Sequence, residues 1–216
     1  MARILVIGAS QGIGLAVCET AAARGHIVRG LSRRGTLPGS AAHAITAIKG
    51  DALNPRDVAG ALVDTDVVVQ ALGVPASLDL LSKPVSLFSS ATRVLLSEMA
   101  KAGVRKIVCV TGFGAGDSRA SISFLQRLPF ELVLGRAYDD KSVQEGLIES
   151  SDTDWLIVRP GVLVNCHRVG NYRVLTSPGA WRNGIVARVD VADFIVKRIE
   201  ADRLGREKPV IVRIPL

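Results

Sequence analysis

Arg3-Ile4-Leu5-Val6-Ile7-Gly8-Ala9-Ser10-Gln11-Gly12-Ile13-Gly14 decides the fold. A short β-branched run closed by a turn signal reads as a buried strand. Residues 12–24 follow as a helix, with Ile13, Val17 and the Ala21-Ala22 pair on one face and Gly25 at its carboxyl end. In this order, Gly8 permits the tight turn, Gly12 lets the main chain approach a diphosphate, and Gly14 lets the helix pack close to the strand. The helix N-terminus adds unpaired N–H groups and the positive end of its dipole. Gly8, Ser10, Gln11, Gly12 and Ile13 are therefore expected to hold the diphosphate of a dinucleotide. The plainer alternative is that the glycines only make a turn.

Outward from this unit, strands are expected at 26–31, 44–48, 66–70, 105–110 and 155–159. Helices are expected at Pro55, over 84–102 and over 138–150. The tail adds short strands near 172–176 and 185–189, a helix from Asp190 to about Ala201, and a last strand over 209–214. Strands alternating with helices at this spacing predict an α/β, Rossmann-type, doubly wound and mainly parallel sheet in a three-layer α/β/α sandwich. No repeat or long linker divides the chain, so residues 1–216 read as one dinucleotide-binding domain. Substrate-region insertions are expected near 74–82, 113–130 and 163–185. Residues 112–130, with three glycines and Pro129, read as an irregular loop over the site.

Composition narrows the function classes. Of 216 residues 48% are hydrophobic but only 4% aromatic, so the core must be Val, Ile, Leu and Ala. That suits strands buried on both faces. No apolar run approaches the roughly 18–20 residues that span a bilayer, and the amino terminus enters a strand without a signal-peptide pattern. A cytoplasmic protein with no membrane partner is expected. Cys18, Cys109 and Cys166 lack any ligand or redox spacing, and no metal site is expected. The net charge of +7 comes mostly from arginines spread along the chain. They are not interleaved with aromatics as a stacking platform would need, so nucleic acid is not an expected partner. Monomer and homodimer both stay open.

The end of the second strand bears on which dinucleotide is held. NAD sites place a carboxylate there for the ribose 2′-hydroxyl, but this chain reads Leu31-Ser32-Arg33-Arg34-Gly35. Guanidinium groups pair well with a 2′-phosphate, and Ser32 adds a hydroxyl. NADP(H) is expected ahead of NAD(H), through Ser32, Arg33 and Arg34. Arg34 is the one more readily left in solvent.

Further stretches carry a resemblance. Gly8 to Gly14 has Gly-x-x-x-Gly-x-Gly spacing. Lys49-Gly50-Asp51 follows the third strand, and Val68-Val69-Gln70-Ala71-Leu72-Gly73 covers the fourth. Val108-Cys109-Val110-Thr111-Gly112 ends the fifth, Trp155-Leu156-Ile157-Val158-Arg159-Pro160-Gly161 spans the sixth, and Val189-Asp190-Val191-Ala192 opens the last helix. Together they resemble the atypical, NAD(P)H-binding branch of the short-chain dehydrogenase/reductase superfamily, which includes flavin/biliverdin reductase-like and NmrA-like proteins. The resemblance implies that Asp51 bonds the adenine amino group, with Ala52 giving a main-chain contact. It implies that Ala71, Leu72 and Gly73 wall the adenosine ribose and diphosphate. Thr111 and Lys141 would meet the nicotinamide end, and Pro160, Gly161 and Val162 would face its carboxamide. The plainer alternatives are that Asp51 is a turn or cap residue before Pro55 and that Lys141 is half of an exposed pair with Glu145 at i, i+4. Asp190 reads as an N-cap, and Trp155 and Trp181 as packing residues.

The best-known enzymes of the superfamily carry Tyr-x-x-x-Lys, whereas this chain has Tyr138-Asp139-Asp140-Lys141, one residue short. Tyr138 shares a helix face with Lys141 and is a candidate proton donor, though not with the usual geometry. Thr111, Lys141 and Tyr138 are thus the candidate catalytic residues. The expected activity is an NADPH-dependent reductase that passes hydride to a small acceptor such as a flavin, quinone or other conjugated carbonyl. Such acceptors can take their proton from water, and hydride transfer is the cofactor's own chemistry. The alternative is a non-catalytic NADP(H)-binding redox sensor.

Overall fold

The computed structural model describes residues 1–38, 44–74, 85–122, 124–166, 170–201 and 203–213, with 124–134 described in backbone only. The first half alternates as expected: β1 (Arg3–Ile7), α1 (Gly12–Ala23), β2 (Ile27–Ser32), β3 (Ile45–Lys49), α2 (Pro55–Leu62) and β4 (Val67–Gln70). Then come α3 (Leu87–Ala102), β5 (Lys106–Val110), α4 (Phe124–Glu149) and β6 (Asp154–Pro160). The chain continues with β7 (Val162–Val164), β8 (Arg173–Leu175), β9 (Ile185–Ala187), α5 (Arg188–Ile199) and β10 (Val210–Val212).

Eight strands form one sheet in the order β3-β2-β1-β4-β5-β6-β10-β8, parallel except where β8 runs against β10. Ile7 pairs with Leu31 on one side and Gln70 on the other. The winding reverses at β1, so a crevice opens beyond the carboxyl ends of β1 and β4, where open α/β sheets hold ligands.

The period-two alternation of β1 builds the three layers. Ile4 and Val6 pack with Val17 and Ala21 of α1 and Val191 and Ile195 of α5. Leu5 and Ile7 face the other way, toward Val58 and Leu62 of α2 and Leu95 and Met99 of α3. Cys18 and Cys109 are buried in these layers, and burial pushes the Cys18 thiol up to about 12. Cys166, two residues past β7, is exposed. Trp155 and Trp181 are both buried. Among the described residues, no helix is long and apolar enough to cross a membrane.

The structure corrects several expectations. Residues 112–130 are not one irregular loop: Gly116–Ser121 forms a 3-10 turn and α4 begins at Phe124. Leucine, glutamine and arginine around Pro129 favour helix, and this one proline, six residues into a 26-residue helix, removes a single N–H bond. Asp190 is not an N-cap. The helix starts two residues earlier, after Ala187, and the buried Asp190 instead accepts the Gly170 N–H at 2.9 Å. β7 and β9 pair in a separate parallel two-stranded sheet, a feature too short to leave a pattern in sequence. The expected segment at 74–82 lies outside the described residues except for Val74.

The cap of α2 does follow its sequence. Asn54 Oδ1 accepts the Arg56 N–H at 3.0 Å, with Pro55 entering the first turn. Asn54→Ala is expected to cost about 1 kcal/mol, read as a lower midpoint in urea with an unchanged slope.

Candidate functional site

The glycine turn is built by close approach. A Cβ on Gly14 would lie 2.2 Å from the Gly8 carbonyl oxygen, so only glycine lets α1 sit this near β1. Gly12 adopts φ +63° and faces open space, with nothing within 4 Å of where its Cβ would stand. The Gly8 N–H donates to Leu31 O at 3.1 Å, tying the turn to the end of β2. Gln11 makes no side-chain cap on α1, and no acidic residue stands in its first turn. Among the described residues, no side-chain cap and no first-turn carboxylate takes up the N-terminal N–H groups and the positive dipole end, which are suited to an external anion.

A cleft of about 420 Å³ runs from this turn along the carboxyl edge of the sheet. Gly8, Ser10, Gln11, Gly12 and Ile13 line its middle. Ser32, Arg33, Asp51, Ala52, Ala71, Leu72 and Gly73 line the end toward β2 and β3, and Thr111, Lys141 and Pro160 the opposite end. Arg34 is exposed and does not line the cleft. Gly161 and Val162 also lie off it, with their N–H groups bonded to Ile211 O and Gly184 O. Asp51 both lines the cleft and makes a local turn, accepting the Leu53 N–H at 3.0 Å. Gly8 and Gly14 thus bring β1, the Ala71 main chain and α1 close together, Gly12 leaves open space above the turn, and Arg33 lines the cleft at the end of β2.

Thr111 and Lys141 are held by a buried network. Thr111 sits just past β5, and its hydroxyl donates to Glu145 Oε1 at 2.6 Å. Lys141 Nζ donates to the Thr111 carbonyl. Burial pulls its pKa down to about 8, against the opposing pull of Cys109 and Glu145. Its ammonium lies 5.0 Å from the Phe88 ring centroid. Next to it, Asp140 accepts the Phe88 N–H at 2.8 Å, which bonds this turn of α4 to the start of α3. The exposed Lys141–Glu145 pair is not what forms. Glu145 is 1% exposed and takes both Nε (3.0 Å) and Nη2 (2.6 Å) of Arg159, itself 0% exposed on β6. Asp117 adds a second contact to Arg159 Nη2 at 2.5 Å, and Lys208 bonds Asp117 in turn. Burial alone would lower the Arg159 pKa, but bonds to Glu145 and Asp117 hold it above its ordinary value.

Tyr138 packs beside Lys141, its ring centroid 5.3 Å from the ammonium. Its ring fills the space beside Gly112, where an added Cβ would lie 2.5 Å from the phenol oxygen. It does not line the cleft, and burial pushes its phenol up to about 12.

Sequence reasoning missed Arg188 and Leu87, which also line the cleft, while Leu163 lines it from the expected 163–185 segment. Arg188 opens α5 and donates to Asn165 Oδ1 at 2.6 Å. No sequence signal pointed to it, because β9, the strand that leads into α5, pairs with β7 outside the main sheet.

A family model described as NAD(P)H-binding matches residues 8–202. No curated protein sequence matches. Among solved structures, ChuY from Escherichia coli CFT073 is 24% identical with a TM-score of 0.82, covering 100% of this chain and 99% of its own. ChuY from E. coli O157:H7, described as an anaerobilin reductase, is 23% identical with a TM-score of 0.81, covering 99% and 98%. A short-chain dehydrogenase/reductase from Veillonella parvula, solved in complex with NADP, is 18% identical with a TM-score of 0.74, covering 98% and 94%. At these identities the likenesses show the fold.

Proposed function

The chain belongs to the NAD(P)H-binding family, and from that premise we propose that it is an oxidoreductase taking its electrons from NADPH. The observation that carries the reading is one continuous cleft joining the uncapped N-terminus of α1, Arg33 at one end and the Thr111–Lys141 pair at the other. The resemblance to a Rossmann protein solved with NADP supports it.

NADPH, when bound, supplies a hydride to the acceptor. The protein's part is to bind and orient. The turn Gly8–Ile13 holds the diphosphate, Arg33 the 2′-phosphate and Asp51 the adenine. Thr111 donates its O–H in a hydrogen bond to Glu145, so it presents an oxygen lone pair to the cleft and accepts hydrogen bonds there. Lys141 spends one N–H on Thr111 and keeps two for a ribose hydroxyl or for the acceptor. With a pKa of about 8 it is the described cleft residue suited to release a proton near neutrality. The acceptor is a small conjugated molecule such as a flavin, a quinone or an open tetrapyrrole, as the anaerobilin reductase of the same fold suggests.

NADPH oxidation that depends on an added acceptor from this panel is the expected result. Tight NADPH binding with no acceptor-dependent oxidation would turn the reading to a redox-sensing binding protein. No saturable binding of either nucleotide would sink both. Arg33→Glu is expected to weaken NADPH binding by about 10- to 100-fold, the worth of one charged hydrogen bond, and to change NADH binding little. Calorimetry on both nucleotides checks this, and an equal loss for the two would remove Arg33 from the 2′-phosphate site.

A further inference from the structure

Lys49 lies at the carboxyl end of β3, and the register places it opposite Ser32, the last residue of β2. The turn that follows Ser32 folds directly onto it. Gly35 has φ +66°, donates its N–H to Ser32 O and Oγ (both 3.2 Å), and would place a Cβ 2.6 Å from Lys49 Cβ. The turn carrying Arg33 therefore rests on the stem of Lys49. A second cleft, also of about 420 Å³, is lined by Arg33, Lys49, Gly50, Asp51 and Asp57. It shares Arg33, Gly50 and Asp51 with the main cleft, so the two adjoin at the adenosine end.

The charges in this second cleft are not equally committed. Asp57 Oδ2 accepts the Asp51 N–H at 2.8 Å, and Asp51 Oδ1 accepts the Leu53 N–H at 3.0 Å. Both carboxylates thus serve main-chain dipoles of the β3–α2 connection. Arg33 and Lys49 form no ion pair among the described residues. These two exposed cations stand on neighbouring strand ends beside the main cleft, and together they offer a positive field suited to a dianion.

We propose that Lys49 is a specificity-determining residue that, together with Arg33, holds the phosphomonoester on the adenosine 2′-oxygen. The two cations divide the work. The planar guanidinium of Arg33 pairs with two phosphate oxygens, while the Lys49 ammonium acts as a point charge on the third. This assignment rests on the NADPH reading and adds the second cation to it.

The test compares NADPH, NADH and adenosine 2′-monophosphate binding to wild type, Lys49→Met and Lys49→Gln, by calorimetry at fixed salt. Both variants keep the aliphatic stem that packs on Gly35, and their NADH affinity reports that the fold is intact. The expected result is about tenfold weaker binding of NADPH and of adenosine 2′-monophosphate, the worth of one charged hydrogen bond, with NADH within about twofold. A preference for NADPH over NADH that survives unchanged in both variants would overturn the role of Lys49 and leave the NADPH reading standing. So would an equal loss for NADPH and NADH, which would mark Lys49 as part of a general field. A wild type with no preference for NADPH would overturn the NADPH reading itself and this inference with it.

Discussion

Glu145→Leu is expected to lower the unfolding free energy by about 3 kcal/mol, near the bottom of the range for breaking a buried ion pair. Arg159 is fully enclosed and would lose the carboxylate that takes two of its N–H groups. Asp117 remains, but its side chain is 51% exposed and it already serves Lys208, so it compensates only in part. The loss should move the melting temperature down by roughly 6–12 °C in a domain of this size. The double variant Glu145→Leu with Arg159→Met should recover much of it, because well-packed apolar groups replace buried pairs at little cost. A single variant as stable as wild type in urea would show that Glu145 carries no such load. The Thr111 hydroxyl, freed from Glu145, would also turn from acceptor to donor toward the cleft.

Lys141→Met should lower acceptor-dependent NADPH oxidation by about a hundredfold or more, the usual worth of a positioned acid, with the fold retained. Its pH behaviour separates this role from a structural one. The pKa is about 8 in the folded protein against an ordinary 10.5. Below about pH 8 the ammonium is present in both folded and unfolded chains, and the cost of burying it is felt in full. Between about 8 and 10.5 the folded chain has lost the proton that the unfolded chain keeps, so stability rises with pH through that window. Activity should move the other way and fall above about pH 8 as the ammonium disappears. Two opposite limbs in wild type, both missing from Lys141→Met, are expected in parallel rate and urea titrations. A rate profile in Lys141→Met with the same alkaline limb would remove Lys141 from proton handling.

Much of this was legible because the deciding signals are local. The glycines at 8, 12 and 14 answer to short-range backbone geometry, and the β-branched runs of β1, β4 and β6 announce strands buried on both sides. Features that depend on distant partners were not legible. Lys141 and Glu145 stand four apart and look like an exposed helix pair, yet the partner of Glu145 is Arg159, across on β6. A charged residue before Pro160 looks like a strand end meeting solvent, and its burial comes from α4 and Trp181 closing over it. Lys49 reaches its cleft because the sheet order sets the end of β3 beside the end of β2, and Arg188 reaches the main cleft from β9, which pairs with β7 outside the main sheet. Asp190 has the chemistry of a cap, but Ala187 already provides the extended residue before the helix. Pro129 looked like a breaker, and the leucines around it outweighed it.

The three cysteines divide unequally between interior and surface. Cys18 and Cys109 are enclosed and hard to ionise, so a maleimide dye has little thiolate to attack at either. Cys166 stands in solvent one residue beyond Asn165, the partner of Arg188 at the cleft mouth. The native protein therefore offers a single tagging position. A fluorophore attached there should report, by a change in its emission, when a nucleotide or an acceptor occupies the neighbouring crevice, without any engineered mutation.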